Sequence, residues 1–248
     1  MAIGICDWGI GGLGFYNLLR AERPDLDVVY IGDQGVPGYG KFDRKSLKCR
    51  IEMVFRTFES CGVSEAVVAC NAASTVVGDV HVQGVRGHGI ILPTLDAMSH
   101  LPKGAVGLIG GRRTIRSGVY RRALQIQGWT VRQRVAQPLS QMIEDGEAGT
   151  PETQKLLAQI VSPLGGVDYL VLACTHYIVL EANVRRLLPG TAIIDPATEA
   201  WDRVKGQLPP TENHVGRTRF LTTGSAAAMQ LQAKIAFGVD AAVEEITI

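Results

Sequence analysis

A chain of 248 residues is long enough for one large or two small α/β domains, and 25 basic against 24 acidic side chains leave a formal net charge of +1. No basic run stands out beyond Arg112-Arg113 and Arg121-Arg122, so nothing argues for nucleic acid or a charged membrane surface as partner. No apolar stretch approaches the ~20 residues of a membrane span, no cleavable leader is visible, and the five cysteines are odd in number, so reduced thiols in a cytoplasmic protein are expected.

Ala2 to Cys6 reads as a first strand, followed by the glycine-rich turn Asp7-Trp8-Gly9-Ile10-Gly11-Gly12-Leu13-Gly14 and a helix from Phe15 to Arg20. The turn matches the dinucleotide pattern G-x-G-x-x-G, with Asp33 ending the second strand, Val28 to Gly32. That match is short, and the preferred reading is that the glycines let backbone amides approach a small ligand. The loop Gln34 to Gly40 is dense in turn residues; it could present amides to a carboxylate or be an ordinary surface loop. Lys45 to Cys61 carries Ile51, Val54, Phe55 and Phe58 at helical spacing. Ala66 to Ala69 is an apolar strand running into Cys70 and Asn71, with a helix opening at Ala72. Ile90 to Thr94 reads as a further strand.

The second half repeats the first. Val106 to Ile109 enters a glycine turn at Gly110-Gly111, and Tyr169 to Ala173 is an apolar run ending in Cys174-Thr175-His176. The separations Ile5–Cys70 and Leu108–Cys174 differ by a single residue, which suggests an internal repeat. Thr114 and Ser117 follow the second glycine turn, where capping is their commoner use. Helices are expected from Gln137 to Glu144, closed by Gly146, from Pro151 to Val161 and from Leu180 to Leu188. Ala192 to Ile194 is a short strand, and Pro209-Pro210 marks a boundary. A strand from Arg219 to Gly224, a helix from Ser225 to Phe237 and a last strand from Ala241 to Ile248 should pack back on the first half. The fold expected is α/β: two pseudo-symmetric three-layer domains with mostly parallel sheets and the site between them, residues 1–93 plus 211–248 against 94–210.

Two equivalent strand ends that each deliver a thiol define a pocket with a cysteine on either side, at the carboxyl edge where parallel sheets bind ligands. One thiol can remove a proton from a stereocentre while the other returns one to the opposite face, giving the mirror-image molecule. Asn71, Thr175 and nearby amides are the donors available to stabilise the intermediate, and Asp7 and His176 the natural partners to tune the thiols. Nothing resembles a pyridoxal phosphate site, so no cofactor is expected. Without a CxxC or HxxxH arrangement, no metal is expected either. Cys6, Cys49 and Cys61 read as packing residues.

These residues resemble a known family. Asp7 to Leu13, Gly32-Asp33, Tyr39-Gly40, Ala69-Cys70-Asn71, Thr114 to Gly118, Glu144-Asp145-Gly146, Cys174 to Tyr177, Ile194-Asp195-Pro196 and Thr223-Gly224 are similar, in order, to the motifs of glutamate racemases in the cofactor-independent aspartate/glutamate racemase superfamily. The resemblance implies Cys70 and Cys174 as acid/base residues, Asp7 and His176 assisting, and Glu144 near His176. It implies Asn71 and Thr175 on the amino-acid head, and Tyr39, Gly40 and Thr114 on a distal carboxylate. The partner implied is a small amino-acid or dicarboxylate substrate, with room for a homodimer; a cell-wall role and a specialised biosynthetic one both stay open. Three departures bear on recognition: Trp8 stands where the family has Ser, Ala72 where it has Thr, and the Val-Pro-Tyr-Gly stretch reads Pro37-Gly38-Tyr39-Gly40. They keep open an aspartate, hydantoin or maleate substrate, or a non-catalytic ligand-binding paralogue.

Overall fold

The computed structural model describes residues 2–208 and 215–248, so the Pro209-Pro210 boundary and the division at 210/211 lie outside the described residues. Among the described residues ten strands form two parallel sheets. The first orders β10 (Val243–Glu245), β9 (Thr218–Thr222), β2 (Asp27–Gly32), β1 (Ala2–Asp7), β3 (Val63–Val68) and β4 (Arg86–Gly89). The second orders β6 (Thr130–Val135), β5 (Ala105–Gly110), β7 (Tyr169–Ala173) and β8 (Ala192–Ile194). The order β2-β1-β3-β4 is thus the same as β6-β5-β7-β8, and every ladder is parallel. The repeat inferred from spacing is a repeat of topology. The chain's tail extends the first sheet, β9 pairing with β2 and β10 with β9.

Central strands β1, β3 and β7 are apolar runs because helices cover both faces of each sheet. One apolar cluster joins Ile3, Ile5, Leu13 and Phe15 on one face of the first sheet, and another joins Val68, Ile51, Val54 and Phe58 on its other face. The second sheet is covered likewise, by Leu157 and Leu172 on one face and Leu108 and Trp129 on the other. The helix Pro196–Lys205 follows β8 in the chain but packs into the first sheet's core, Trp201 meeting Phe15 edge-on at 5.8 Å.

Ile90 to Thr94 is not a strand. The helix Ile91–Ser99 begins there, and β4 lies just upstream. Ile91, Leu95 and Met98 are buried at helical spacing. Pro93 sits in the first turn, where its missing N–H costs nothing. Short apolar runs of this kind do not distinguish strand from helix by periodicity. Among the described residues no helix is long and apolar enough to cross a membrane.

Candidate active site

The site is assembled at the carboxyl ends of the central strands of both sheets. The end of β1 supplies Asp7 and Trp8, the turn after β3 supplies Cys70, Asn71 and Ala72, and the turn after β7 supplies Cys174, Thr175 and His176. The helix Pro138–Glu144 adds Glu144, the turn Tyr39–Lys41 adds Tyr39 and Gly40, and the helix Arg112–Ser117 adds Thr114. All twelve residues singled out in the sequence line one cavity of about 500 Å³. Its size suits a small ligand with room for water.

The thiols have different surroundings. Cys174 Sγ lies 3.8 Å from His176 Nδ1, and His176 Nε2 lies 2.8 Å from Glu144 Oε1. Burial opposes the imidazolium, but the bonds to Cys174 and Glu144 and their charges outweigh it, and the His176 pKa stands well above its ordinary value. At Cys70, burial comes first, then the Asp7 charge, and a smaller contribution from the Cys174 thiolate; together they push the thiol pKa well up against the pull of the Ala73 and Ala72 amides. Asp7 therefore favours the protonated form of Cys70. Its carboxylate is held by Trp8 N at 2.6 Å and by the Thr175 hydroxyl, which donates across from the other half at 2.7 Å.

Asn71 is 2% exposed, and Tyr120 donates its hydroxyl to Oδ1 at 2.8 Å. That bond fixes which way the amide faces and leaves Nδ2 buried without a partner. A buried N–H₂ with no acceptor is costly unless a ligand supplies one. Tyr39 is held by donating to Asp33 at 2.7 Å, while Asp33 also receives Thr223 and two nitrogens of Arg50. Trp8 Nε1 donates to Val36 O at 2.9 Å, so the indole is pinned to the Gln34–Gly40 loop in the cavity wall.

The glycine-rich turn serves neither use read from its sequence. Gly9 and Gly11 do not line the cavity; they make room for the opposite half. A Cβ on Gly9 would collide with the Glu144 carboxylate, and one on Gly11 with Thr175 Oγ1 and the His176 ring. The dinucleotide reading fails on the same ground, since the turn is filled by side chains and Asp33 has its oxygens taken.

Sequence reasoning missed six polar residues of the cavity: Lys41, Arg112, Arg113, Gln137, Ser140 and Gln141. Arg112-Arg113 showed in the sequence only as a charge pair. The Gln137 side chain accepts the Arg112 amide at 2.9 Å and fills the space beside Gly111. Among the described residues no group of three or more His, Cys, Asp or Glu is arranged to hold a metal ion.

Known proteins share this arrangement of elements. The chain is 29% identical to a glutamate racemase of Persephonella marina over its whole length and 98% of that protein's. It is 30% identical to a glutamate racemase of Aquifex aeolicus over 203 residues, 79% of this chain and 78% of the other. The crystal structure of a glutamate racemase isoform from Bacillus anthracis superposes with a TM-score of 0.89 at 27% identity, covering 100% of this chain and 97% of that one. Residues 43–204 match the family model described as Asp/Glu/Hydantoin racemase. That span holds both cysteines, His176 and Glu144, and with this fold the chain belongs to the Asp/Glu/Hydantoin racemase family.

Proposed function

We propose that this protein is a cofactor-independent amino-acid racemase acting on glutamate, with Cys70 and Cys174 as its two acid/base groups. The observation that carries the reading is that thiols from equivalent strand ends of a repeated fold share one cavity in unlike surroundings. Cys174 has the His176 imidazole, backed by Glu144, as its proton partner, while burial and Asp7 favour a neutral thiol at Cys70. Cys174 thus takes the Cα proton from one face as Cys70 delivers its own proton to the other. The enantiomer is released with the two thiols' protonation exchanged, and reaction in the reverse sense starts from that state.

Asn71 Nδ2 supports the substrate role of that residue: its missing acceptor is the α-carboxylate, whose oxygens gain charge as the proton leaves. Thr175 is the second donor at the amino-acid head, and Tyr39, Gly40 and Thr114 form the wall toward the distal carboxylate. Asp7 tunes Cys70 and attracts the substrate ammonium. Trp8 and Ala72 shape the same wall without the hydroxyls of Ser and Thr, and this favours a second reading in which the shorter aspartate is the substrate. We place the enzyme in the cytoplasm, where free thiols persist, and carry a homodimer as its working assembly. The two domains we assign are 1–93 plus 211–248 and 94–210, with the helix Pro196–Lys205 reaching back onto the first.

Solvent deuterium incorporation at Cα, followed by NMR in D₂O with L- and D-glutamate and then L- and D-aspartate, tests the reading. Exchange and inversion from both enantiomers of one acid, with inversion lost in Cys70→Ala and in Cys174→Ala, are expected. Inversion surviving in either variant would remove the two-thiol mechanism, and no exchange with any of the four would remove the substrate.

A further inference from the structure

The cavity wall holds a cation that the structure leaves without a counterion. Arg113 is half-buried on the helix Arg112–Ser117. Its Nη1 donates to Phe42 O at 2.6 Å and its Nε to Thr75 Oγ1 at 3.2 Å, both on the opposite half. Two of five N–H donors are thereby used, the guanidinium is locked across the mouth of the cleft, and no bond among the described residues uses Nη2.

No carboxylate of the described residues forms an ion pair with Arg113. The charges nearest to it are spent elsewhere. Arg44, which repels it, pairs with Asp79, and both oxygens of Asp43 are engaged by Ser46. Burial already works against its charge. Arg113 lines the same cavity as Cys70 and lies within electrostatic reach of its thiol. A half-buried, pre-positioned guanidinium with free donors calls for an anion in the cavity, and the two-pronged carboxylate is its natural complement. Lys41 and Arg112 add positive charge to the same rim, whereas Asp7 and Glu144 lie at the thiol end. The cavity is therefore polarised along the axis of a dicarboxylic amino acid.

We infer that Arg113 is the residue by which this site selects an acidic over an amide side chain: its Nη2 group pairs with the distal carboxylate of the substrate. The inference rests on the amino-acid racemase reading for its ligand class, and adds the specificity determinant. Because Arg113 also bridges the halves, its test must separate charge recognition from scaffolding.

D-glutamate and D-glutamine differ only in the distal group, so their dissociation constants are measured by calorimetry with wild type, Arg113→Gln and Arg113→Lys. Wild type is expected to prefer the acid by roughly tenfold or more, the worth of a charge-assisted pair. In Arg113→Gln that preference falls to about unity with the affinity for D-glutamine nearly unchanged, and Arg113→Lys keeps part of it because it keeps charge but not the fork. A preference unchanged in Arg113→Gln, or equal weakening of both ligands, would overturn the inference and leave Arg113 a structural bridge. Wild type binding neither ligand would also overturn it. The reaction is read separately: wild type that shows this preference without exchanging the Cα proton would sink the racemase reading and leave the role of Arg113 standing.

Discussion

Gly11→Ala places a methyl group where the two halves of the site meet, although Gly11 itself does not line the cavity. The added Cβ would lie 2.7 Å from His176 Nδ1 and 2.8 Å from its Cε1, and closer still to Thr175 Oγ1. Ordinary carbon contacts need about 3.5 Å or more, so the neighbours must yield by roughly 0.7 Å. Neither can swing aside without loss. Thr175 donates to Asp7 at 2.7 Å, His176 is tied to Glu144 at 2.8 Å, and both are only 4% exposed. Overpacking of this kind costs about 1–3 kcal/mol, and breaking the Thr175–Asp7 bond would add a similar amount. The larger effect is on the reaction. A displacement approaching 1 Å in a group that tunes the base costs on the order of 100-fold in rate. Urea unfolding and racemisation of D-glutamate followed by circular dichroism read the two effects. Gly14→Ala is the control, since its Cβ would meet Ile178 Cγ2 at 3.6 Å, an ordinary contact, within the helix Leu13–Glu22. It should be neutral or up to about 1 kcal/mol stabilising. Gly11→Ala with the kcat and unfolding midpoint of wild type would refute the assignment of this turn as a seat for Thr175 and His176.

Glu144→Gln keeps a hydrogen-bond acceptor for His176 but removes the charge, so the imidazole pKa should fall, and direct NMR titration of the ring would show it. The raised pKa of His176 contributes stability that is present below the ordinary imidazole value of about 6.5 and is lost as pH climbs through the folded value. In Glu144→Gln that loss should begin at lower pH, and an unfolding midpoint with the same pH profile as wild type would contradict it. Asp33→Asn leaves the Arg50 guanidinium, whose side chain is 10% exposed, without its bidentate partner and should cost about 3–5 kcal/mol in urea unfolding. A loss under about 1 kcal/mol would mean that water takes over the role of the carboxylate. Trp8 lines the cavity whereas Trp129 and Trp201 are buried in the cores, so D-glutamate should quench tryptophan emission in wild type and leave Trp8→Phe unaltered. Equal quenching in both would place Trp8 away from the ligand.

What the sequence made legible were the features that report burial on both faces and their ends. β1, β2, β5 and β7 and the second half of β3 are largely apolar runs, and the nearly equal spacing of the two strand–cysteine units located both thiols. The edge strands β4 and β6 gave no such signal. β4 is Arg86-Gly-His-Gly and β6 is Thr130-Val-Arg-Gln-Arg-Val, each wet on one side and rich in charge, as an edge must be to avoid pairing with other chains. The purpose of Gly9 and Gly11 was beyond any local reading, because the atoms they make room for belong to Glu144, Thr175 and His176 in the other half. Arg113 was invisible for a related reason. A charge pair on a helix is usually solvated, and only the tertiary fold brings both members to the cavity and ties Arg113 to Phe42 and Thr75 of the other half.

The repeat that built this protein is symmetric in its strands and asymmetric in its chemistry. β1 and β5 both lead into glycine turns, yet only the first turn is packed by residues from the opposite half. β3 and β7 both end in cysteine, yet one thiol is followed by an amide and faces a carboxylate's charge, while the other is followed by a hydroxyl and an imidazole. Symmetric placement lets two groups address one carbon from two sides, and unlike surroundings bias which of the two thiols holds the single proton that the pair shares. Several bonds that cross between the halves, Thr175 to Asp7, Tyr120 to Asn71 and Arg113 to Phe42 and Thr75, involve residues of this cavity, while Lys205 meets Glu22 on the outer surface. The difference between the thiols is built within each half, Asp7 beside Cys70 in the first and His176 with Glu144 beside Cys174 in the second, and the contacts that close the cleft bring these two unlike environments to one cavity.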